Sequence, residues 1–257
     1  MEGNIKVKNY RKISCAECLE GKVLPFQFSM AFQPIVDSNS KTLFSTEALV
    51  RGINGESAQF ILSKVNDENR YQFDQACRVK AIELASKLKL QSFLNINFLP
   101  NAVYRPETCI AATLEASEKF SFPIDRLIFE ITEGEKITDH DHVISIFKEY
   151  KKQGMKTAID DFGAGYSGLN LLAKFQPDYI KLDMEIIRDI HKDKIRRAIV
   201  KSIISVCEEI GIIVKAEGIE TIEEYNCLRE LGIYLFQGYY FARPSFESLA
   251  EVSAEKF

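Results

Sequence analysis

The 257-residue chain has no tryptophan, no excess of positive charge and no long apolar run. Its formal net charge is -4, which argues against a general grip on double-stranded nucleic acid, because that binding needs a basic surface. No apolar run reaches the roughly 18 residues of a membrane span, and the first residues lack the apolar stretch of a secretory signal. We therefore expect a cytoplasmic protein with neither a membrane nor a double-stranded nucleic-acid partner.

The cysteine pattern of a disulfide framework is also missing. In a chain of this length, six scattered cysteines predict reduced, packed thiols: Cys15, Cys18, Cys77, Cys109, Cys207 and Cys227. Cys15 and Cys18 have the Cys-x-x-Cys spacing of half a zinc site or a redox pair, but no second ligand pair precedes Cys77. Metal binding, redox use and plain packing of this pair stay open. Residues 1–27 are expected to form an N-terminal extension packed against a domain that spans residues 28–257.

Short apolar runs alternate with longer segments of helical period, which predicts repeated βα units around a parallel sheet. Eight runs are candidate strands: 28–37, 42–52, 92–100, 126–135, 156–163, 179–184, 212–220 and 234–244. Six segments are candidate helices: 70–90, 107–120, 141–154, 167–176, 196–211 and 221–232. Gly154 and Gly211 end two of these segments as expected left-handed caps. The count favours an α/β fold, a (β/α)8 barrel, over a doubly wound sheet.

Polar residues lie toward the carboxyl end of nearly every candidate strand, although buried parallel strands are expected to be apolar. They are Glu47, Asn97, Glu130, Asp160, Lys181, Glu217 and Gln237. Any one of them has an ordinary explanation, such as a Glu47–Arg51 ion pair or an Asp161 helix cap. Their shared position is the informative feature, because barrel enzymes carry their active sites at this end of the strands.

Carboxylates dominate the predicted mouth of the barrel: Glu47, Glu130, Asp160, Asp161 and Glu217. Two carboxylates about 4 Å apart repel by about 4 kcal/mol at an effective dielectric of about 20, and a single lysine cannot neutralise five. Either several are protonated or divalent cations lie among them, and oxygen ligands favour Mg²⁺ or Mn²⁺ over zinc. Adjacent aspartates suit a bridge between two ions. Two such ions are the apparatus for attack on a phosphate ester, which indicates metal-dependent phosphoester hydrolysis.

The same residues carry a family resemblance. The segments "FQPIVD", "EALVR", "LNINF", "FEITE", "DDFGAGYSGL", "IKLD", "AEGIET" and "QGYYFARP" resemble, in order, those of the bacterial EAL-domain cyclic-di-GMP phosphodiesterases. The likeness runs from about residue 28 to residue 244. It implies a modified TIM (β/α)8 barrel with one antiparallel strand, hydrolysis of cyclic di-GMP to linear pGpG, two Mg²⁺ or Mn²⁺ ions, and a homodimer.

The resemblance also implies roles for individual residues. It makes Glu47, Asn97, Glu130 and Asp160 ligands of one metal ion, and it places Asp160, Asp161 and Glu217 around the second. Catalytic roles fall to Glu217 as candidate base, to Lys181 at the water or phosphate, and to Gln237 in the metal shell; which of Lys181 and Glu217 is the main base stays open. Gln33 and Arg51 are expected to contact the dinucleotide, and Phe241 and Pro244 are candidate guanine walls, although core packing and a turn explain them almost as well. Glu133 is expected to anchor a glycine-rich lid that contains Ala164 in place of the common threonine or serine.

Two other functions compete with the hydrolase. A catalytically silent cyclic-di-GMP receptor has the same fold, but silent members typically lose metal ligands or the lid acid, and this chain retains them all. A glycosidase would use paired carboxylates without metal, in a sugar cleft rich in aromatic residues. The absence of tryptophan argues against the glycosidase.

Overall fold

A computed structural model of the protein describes residues 24–103, 106–132, 140–164 and 168–257. Within these ranges, eight strands close into a barrel in which each strand pairs with the next and β8 pairs with β1. The strands are β1 (Ser29–Asp37), β2 (Thr42–Arg51), β3 (Phe93–Asn97), β4 (Leu127–Thr132), β5 (Lys156–Phe162), β6 (Tyr179–Leu182), β7 (Ile213–Ala216) and β8 (Leu235–Gln237). A two-residue strand, β9 (Ser245–Phe246), extends the sheet beside β1. The expected barrel is confirmed.

Strand β1 runs antiparallel to both of its neighbours, whereas β2 to β8 are mutually parallel. Only four residues separate β1 from β2, too few for the crossover that a parallel pair requires, so the two strands form a hairpin. Asp37 Oδ1 accepts hydrogen bonds from the backbone N–H groups of Asn39 and Ser40 and so shapes this turn. The antiparallel strand implied by the family resemblance is confirmed.

Helices cover the outside of the barrel. They are α1 (Ala58–Leu62), α2 (Arg70–Lys87), α3 (Pro106–Cys109), α4 (Ala111–Phe120), α5 (His140–Lys152), α6 (Gly168–Lys174), α7 (Met184–Ile187), α8 (Lys194–Glu209) and α9 (Ile222–Glu230). Gly154 and Gly211 have φ of 88° and 74°, as expected for left-handed caps. The segment predicted as one helix over 107–120 forms two helices, because the helix is interrupted at Ile110. No described helix is long and apolar enough to cross a membrane.

The apolar core has two parts. The larger part fills the space between strands and helices, and it contains the buried free thiols Cys77, Cys109, Cys207 and Cys227. The expectation of packed thiols is thus confirmed for these four, whereas Cys15 and Cys18 lie outside the described residues. The smaller part plugs the inside of the barrel with Ile128, Ala158, Tyr179 and Leu235. Each of these four lies two residues before a polar strand-end residue, and so beneath it on the same strand face.

Candidate active site

All seven polar strand-end residues converge at the carboxyl ends of the parallel strands. Six lie within β2, β3, β4, β5, β6 and β8, and Glu217 follows β7 directly. Their side chains form one connected network, in which Lys181 is the central cation and Glu47 the main acceptor of hydrogen bonds. The expectation that these residues share one mouth is therefore met.

Lys181 lies among four carboxylates. Its Nζ is 2.8 Å from Asp160 Oδ1 and 2.9 Å from Glu217 Oε2. The same ammonium is 3.2 Å from Glu47 Oε2 and 3.5 Å from Glu130 Oε2. Burial lowers the pKa of Lys181, but the four carboxylates outweigh burial and raise the pKa well above its ordinary value. The site therefore has a permanent positive charge at its centre and a surplus of negative charge around it.

Glu47 is fixed by two amides. Asn97 Nδ2 donates to Glu47 Oε1 at 2.7 Å, and Gln237 Nε2 donates to Glu47 Oε2 at 2.8 Å. Burial raises the pKa of Glu47, yet the charge of Lys181 and these hydrogen bonds hold the pKa below its ordinary value. Gln237 Nε2 also donates to Gln33 Oε1 at 3.1 Å, which connects β1 to the network. Glu47 is thus a preorganised carboxylate.

Two overlapping groups of carboxylates can each hold a cation. The first group is Glu47, Glu130 and Asp160, the second is Asp160, Asp161 and Glu217, and within each group the ligand oxygens lie within 4.8 Å of one another. Asp160 belongs to both groups. This overlap is the arrangement expected of a carboxylate that bridges two ions.

A local irregularity lets the adjacent aspartates serve one site. Successive residues of a regular strand point to opposite faces, so Asp160 and Asp161 would diverge. The β5–β6 register shifts between Ile159 and Phe162, and Asp161 has a left-handed φ of 52°. Aspartate tolerates this conformation better than most residues do. The break in the strand therefore brings both carboxylates near Glu217.

The carboxylates are crowded enough to change their acidity. Burial raises the pKa of Asp160 to about 7; Lys181 opposes the rise, and the charges of Glu130, Glu47 and Asp161 add to it. Glu217, whose side chain is 16% exposed, likewise has a pKa well above its ordinary value, mainly through burial. Proximity to like charges and loss of water thus disfavour the fully ionised cluster. A divalent cation would remove this penalty.

The donor atoms fit such cations. Asn97 Oδ1 and Gln237 Oε1 are buried and have no hydrogen-bond partner among the described residues. Since Asn97 already uses its amide N–H on Glu47, its oxygen remains free to act as a ligand. Carboxylate and amide oxygens are the donors that Mg²⁺ and Mn²⁺ prefer. The residues present therefore fit a pair of hard divalent ions.

The structure describes the predicted substrate-binding residues but only part of the predicted lid. Gln33 Nε2 donates to Ala242 O at 3.2 Å, and half-buried Arg51 donates to Val50 O at 2.7 Å near the end of β2. Phe241 is only 5% exposed. Its ring packs against four other aromatic rings, those of Tyr225, Phe236, Tyr240 and Phe257. Its core role is thus clear, whereas its contact with substrate stays a prediction, as does that of half-buried Pro244. Glu133 and lid residues 165–167 lie outside the described residues.

Two site residues were missed by sequence reasoning. Asn95 Nδ2 donates to Glu130 Oε1 at 2.5 Å, and Lys215 Nζ lies 3.7 Å from the same oxygen. Burial lowers the pKa of Lys215 to about 8, even though the charge of Glu130 raises it. Both residues lie two positions before a predicted site residue, on the same strand face and one layer deeper. That spacing was the signal in the sequence.

Comparison with known proteins adds independent findings. The family model described as the EAL domain matches residues 20–244. Among solved structures, a standalone EAL protein from Vibrio cholerae O395, bound to c-di-GMP, is 54% identical with a TM-score of 0.88, over 91% of this chain and 98% of that chain. BlrP1 from Klebsiella pneumoniae, in a manganese/cy-diGMP complex, is 42% identical with a TM-score of 0.83, over 89% of this chain and 59% of that one.

Two curated relatives have names that describe different functions. The blue light- and temperature-regulated antirepressor BluF of Escherichia coli (strain K12) is 33% identical over 87% of this chain and 56% of its own length. The cyclic di-GMP phosphodiesterase PdeR of the same organism is 34% identical over 54% of this chain and 21% of its own length. The chain thus spans about half or less of the length of these relatives.

Proposed function

Because the chain belongs to the EAL domain family, we propose that it is a phosphodiesterase that hydrolyses cyclic di-GMP to linear pGpG with the aid of two divalent cations. The observation that carries the proposal is the pair of carboxylate groups that share Asp160 around Lys181. Cyclic di-GMP appears in the solved complexes of two relatives, and a third relative is named a phosphodiesterase of this dinucleotide. The same activity is proposed for any longer protein of which this domain is a part.

The proposed ligands divide between the two groups. Glu47, Asn97, Glu130 and Asp160 would hold one ion, and Asp160, Asp161 and Glu217 would hold the other. The orphaned Asn97 Oδ1 supports the first set, and the shared position of Asp160 supports the bridge. When bound, the ions supply Lewis-acid stabilisation of the phosphate charge and acidify water. Either Mg²⁺ or Mn²⁺ suits these donors, and the manganese complex of BlrP1 makes Mn²⁺ the first ion to test.

The protein's own groups supply the remaining chemistry. We assign the role of general base to Glu217, whose carboxylate takes a proton from the attacking water as the new P–O bond forms. The bond from phosphorus to a ribose oxygen breaks, and that oxygen takes up a proton from solvent. Lys181 keeps its proton among four carboxylates, so it acts as a fixed positive charge that orients the water or the phosphate.

The residues around the mouth position the substrate. Gln237 holds Glu47 in place through its amide N–H and joins that glutamate to Gln33. We propose that Gln33 and Arg51 contact the dinucleotide, with Arg51 pairing with a phosphate. Phe241 and Pro244 are proposed guanine walls, and Glu133 is the proposed anchor of the lid that follows Asp161.

A turnover assay of the purified chain tests the proposal. With Mn²⁺, the wild-type protein is expected to convert cyclic di-GMP to pGpG, resolved by chromatography. The Glu217→Gln variant keeps the shape of the side chain and loses the base, so we expect turnover to fall by about 100-fold or more. Wild-type activity in this variant would contradict the assignment of Glu217.

A second function has a specific observation in its favour, because the relative BluF is named an antirepressor. In that case the domain binds cyclic di-GMP and passes a signal to a protein partner without hydrolysing the nucleotide. Binding measured by calorimetry together with no pGpG, in the presence of Mn²⁺, would identify this receptor function. The intact set of carboxylates makes hydrolysis the better supported proposal.

The homodimer is a further part of the proposal. Helix α8 and the residue that caps its carboxyl end expose an apolar stripe at helical spacing: Ile195, Ile199, Val206 and the cap Ile210. Basic residues flank its amino-terminal half and acidic residues its carboxyl-terminal half: Lys194, Arg197 and Lys201, then Glu208 and Glu209. Two copies of α8 packed antiparallel about a twofold axis would bury the stripe and pair the opposite charges. Ile199→Glu is expected to give a monomer in sedimentation, and Leu43→Glu, at an exposed apolar site on β2, is the control.

Three further statements stay proposals. The cytoplasmic location is one of them, and the lack of a double-stranded nucleic-acid partner, which the net charge of -4 supports, is another. The extension over residues 1–27, with Cys15 and Cys18, lies largely outside the described residues. Zinc analysis of the wild-type protein against Cys15→Ser tests a metal role for that pair, and equal zinc content would contradict it.

A further inference from the structure

Lys215 is a second buried lysine inside the barrel, one layer below the mouth. It lies in β7 beside Lys181 of β6, in register with it, and it is 1% exposed. None of the roles proposed above uses it. A buried ammonium loses its hydration and persists only where nearby groups compensate for that loss. The groups around Lys215 therefore indicate what the charge is for.

The compensation comes mainly from Glu130. Lys215 Nζ is 3.7 Å from Glu130 Oε1, and no described group accepts a hydrogen bond from this Nζ. The ammonium also lies over the ring of Tyr179, 4.3 Å from its centre, and 5.5 Å from the centre of the Phe44 ring. The contact with Glu130 is therefore one of charge rather than of hydrogen-bond geometry.

The position of Glu130 is set by other residues. Asn95 Nδ2 donates to its Oε1 at 2.5 Å, and Lys181 Nζ approaches its Oε2 at 3.5 Å. Glu130 itself is 0% exposed. Removal of Lys215 would therefore leave the carboxylate in place and would change mainly the charge beside it. The roles of the two residues can thus be distinguished by experiment: Asn95 fixes the position of Glu130, and Lys215 changes the charge beside it.

We propose that Lys215 is a built-in counter-charge for the metal site, one that offsets the charge of Glu130 and so weakens the binding of divalent cations. The proposal rests on the proposed metal site, because it concerns the charge that a cation meets there. Four carboxylates surround Lys181 at the mouth and Asp161 adds a fifth to the cluster, while Lys215 contributes a second positive charge from below. Its role is to set the charge beside Glu130, and it does not touch the reacting atoms.

The test is a Mn²⁺ titration of the metal-free full chain by calorimetry, with no substrate present. Lys215→Met keeps most of the side-chain volume and removes the charge, so Mn²⁺ is expected to bind about tenfold more tightly, which corresponds to removal of about 1.4 kcal/mol of repulsion between the ammonium and the cation. Lys215→Arg keeps the charge and is expected to restore wild-type affinity. Asn95→Leu is the matched control: it removes the hydrogen bond that places Glu130 and is expected to weaken Mn²⁺ binding.

Thermal unfolding in chelator and in Mn²⁺ gives a second readout. Lys215→Met is expected to gain more in unfolding temperature from Mn²⁺ than the wild-type protein gains; a variant that folds only with Mn²⁺ gives the same support. Unchanged or weaker Mn²⁺ binding by a folded Lys215→Met variant would contradict the counter-charge role of Lys215, even if the wild-type protein binds two ions. Wild-type protein that binds no Mn²⁺ overturns both the metal site and this inference.

Discussion

Loss of one carboxylate from the mouth is expected to make the metal-free protein more stable. In Asp160→Asn the side chain keeps its shape and one oxygen that can accept from Lys181, which lies 2.8 Å away, but the negative charge is removed. Burial and the neighbouring carboxylates raise the pKa of Asp160 from 3.8 to about 7. A shift of that size corresponds to about 4 kcal/mol of penalty on the ionised form in the folded state.

The sign follows from linkage. Because the folded pKa of Asp160 lies above the unfolded value, this group favours folding below pH about 4, and that contribution is lost as the pH rises to about 7. At pH about 8 the wild-type protein carries the full penalty and the asparagine variant carries none. Since the charges of the cluster are coupled and can relax, we expect a gain of about 1 to 4 kcal/mol, or several degrees in Tm.

The assay is thermal unfolding at pH about 8, in chelator and in Mn²⁺. In chelator the Asp160→Asn variant is expected to have the higher Tm, whereas in Mn²⁺ the order reverses, because the variant lacks the ligand common to both ions. At pH about 5 the difference in chelator is expected to shrink, since Asp160 is then protonated in the folded protein. Asp178→Asn is the control: this carboxylate lies within 3.6 Å of Lys151 and Lys156, so its loss is expected to lower Tm. A lower Tm for Asp160→Asn in chelator would refute the electrostatic reasoning.

Two predictions concern the structure that supports the site. Tyr150→Phe removes the hydroxyl that accepts from Arg78 Nη1 at 2.6 Å inside the core, so the free energy of unfolding measured with urea is expected to fall by about 1 to 3 kcal/mol; an unchanged midpoint would contradict this. Gly238→Ala places a Cβ 2.1 Å from Ile219 O, against the backbone that follows Glu217, so both Tm and turnover are expected to fall. Wild-type turnover in that variant would show that the segments after β7 and β8 move independently.

The layer of polar residues at the strand ends was predictable from sequence, because polar residues are unexpected in buried parallel strands. Buried parallel strands are apolar, so Glu47, Asn97, Asp160 and Lys181 at strand ends stood out, and barrel closure was enough to bring them together. The overlap of the two carboxylate groups at Asp160 also followed from the adjacent aspartates. What sequence could not supply was the break in β5 that turns Asp161 toward the same side.

The deeper layer and the first strand were harder to predict. Asn95 and Lys215 lie two residues before Asn97 and Glu217, but only polar residues at the strand ends were considered as candidates for the site. The family resemblance implied one antiparallel strand without saying which, although the four-residue connection between β1 and β2 contains the physical reason that it is β1. The predicted strand over 234–244 is regular only at Leu235–Gln237, because the close approach of Gly238 to Ile219 ends it.

The claim that one carboxylate serves two cations can be tested most directly by crystallography. Crystals of the full chain grown with Mn²⁺, measured near the manganese absorption edge, locate each ion by its anomalous scattering. The account predicts two peaks about 3.5 to 4 Å apart, both beside the carboxylate of Asp160. A single peak, or two peaks of which one does not contact Asp160, would contradict it.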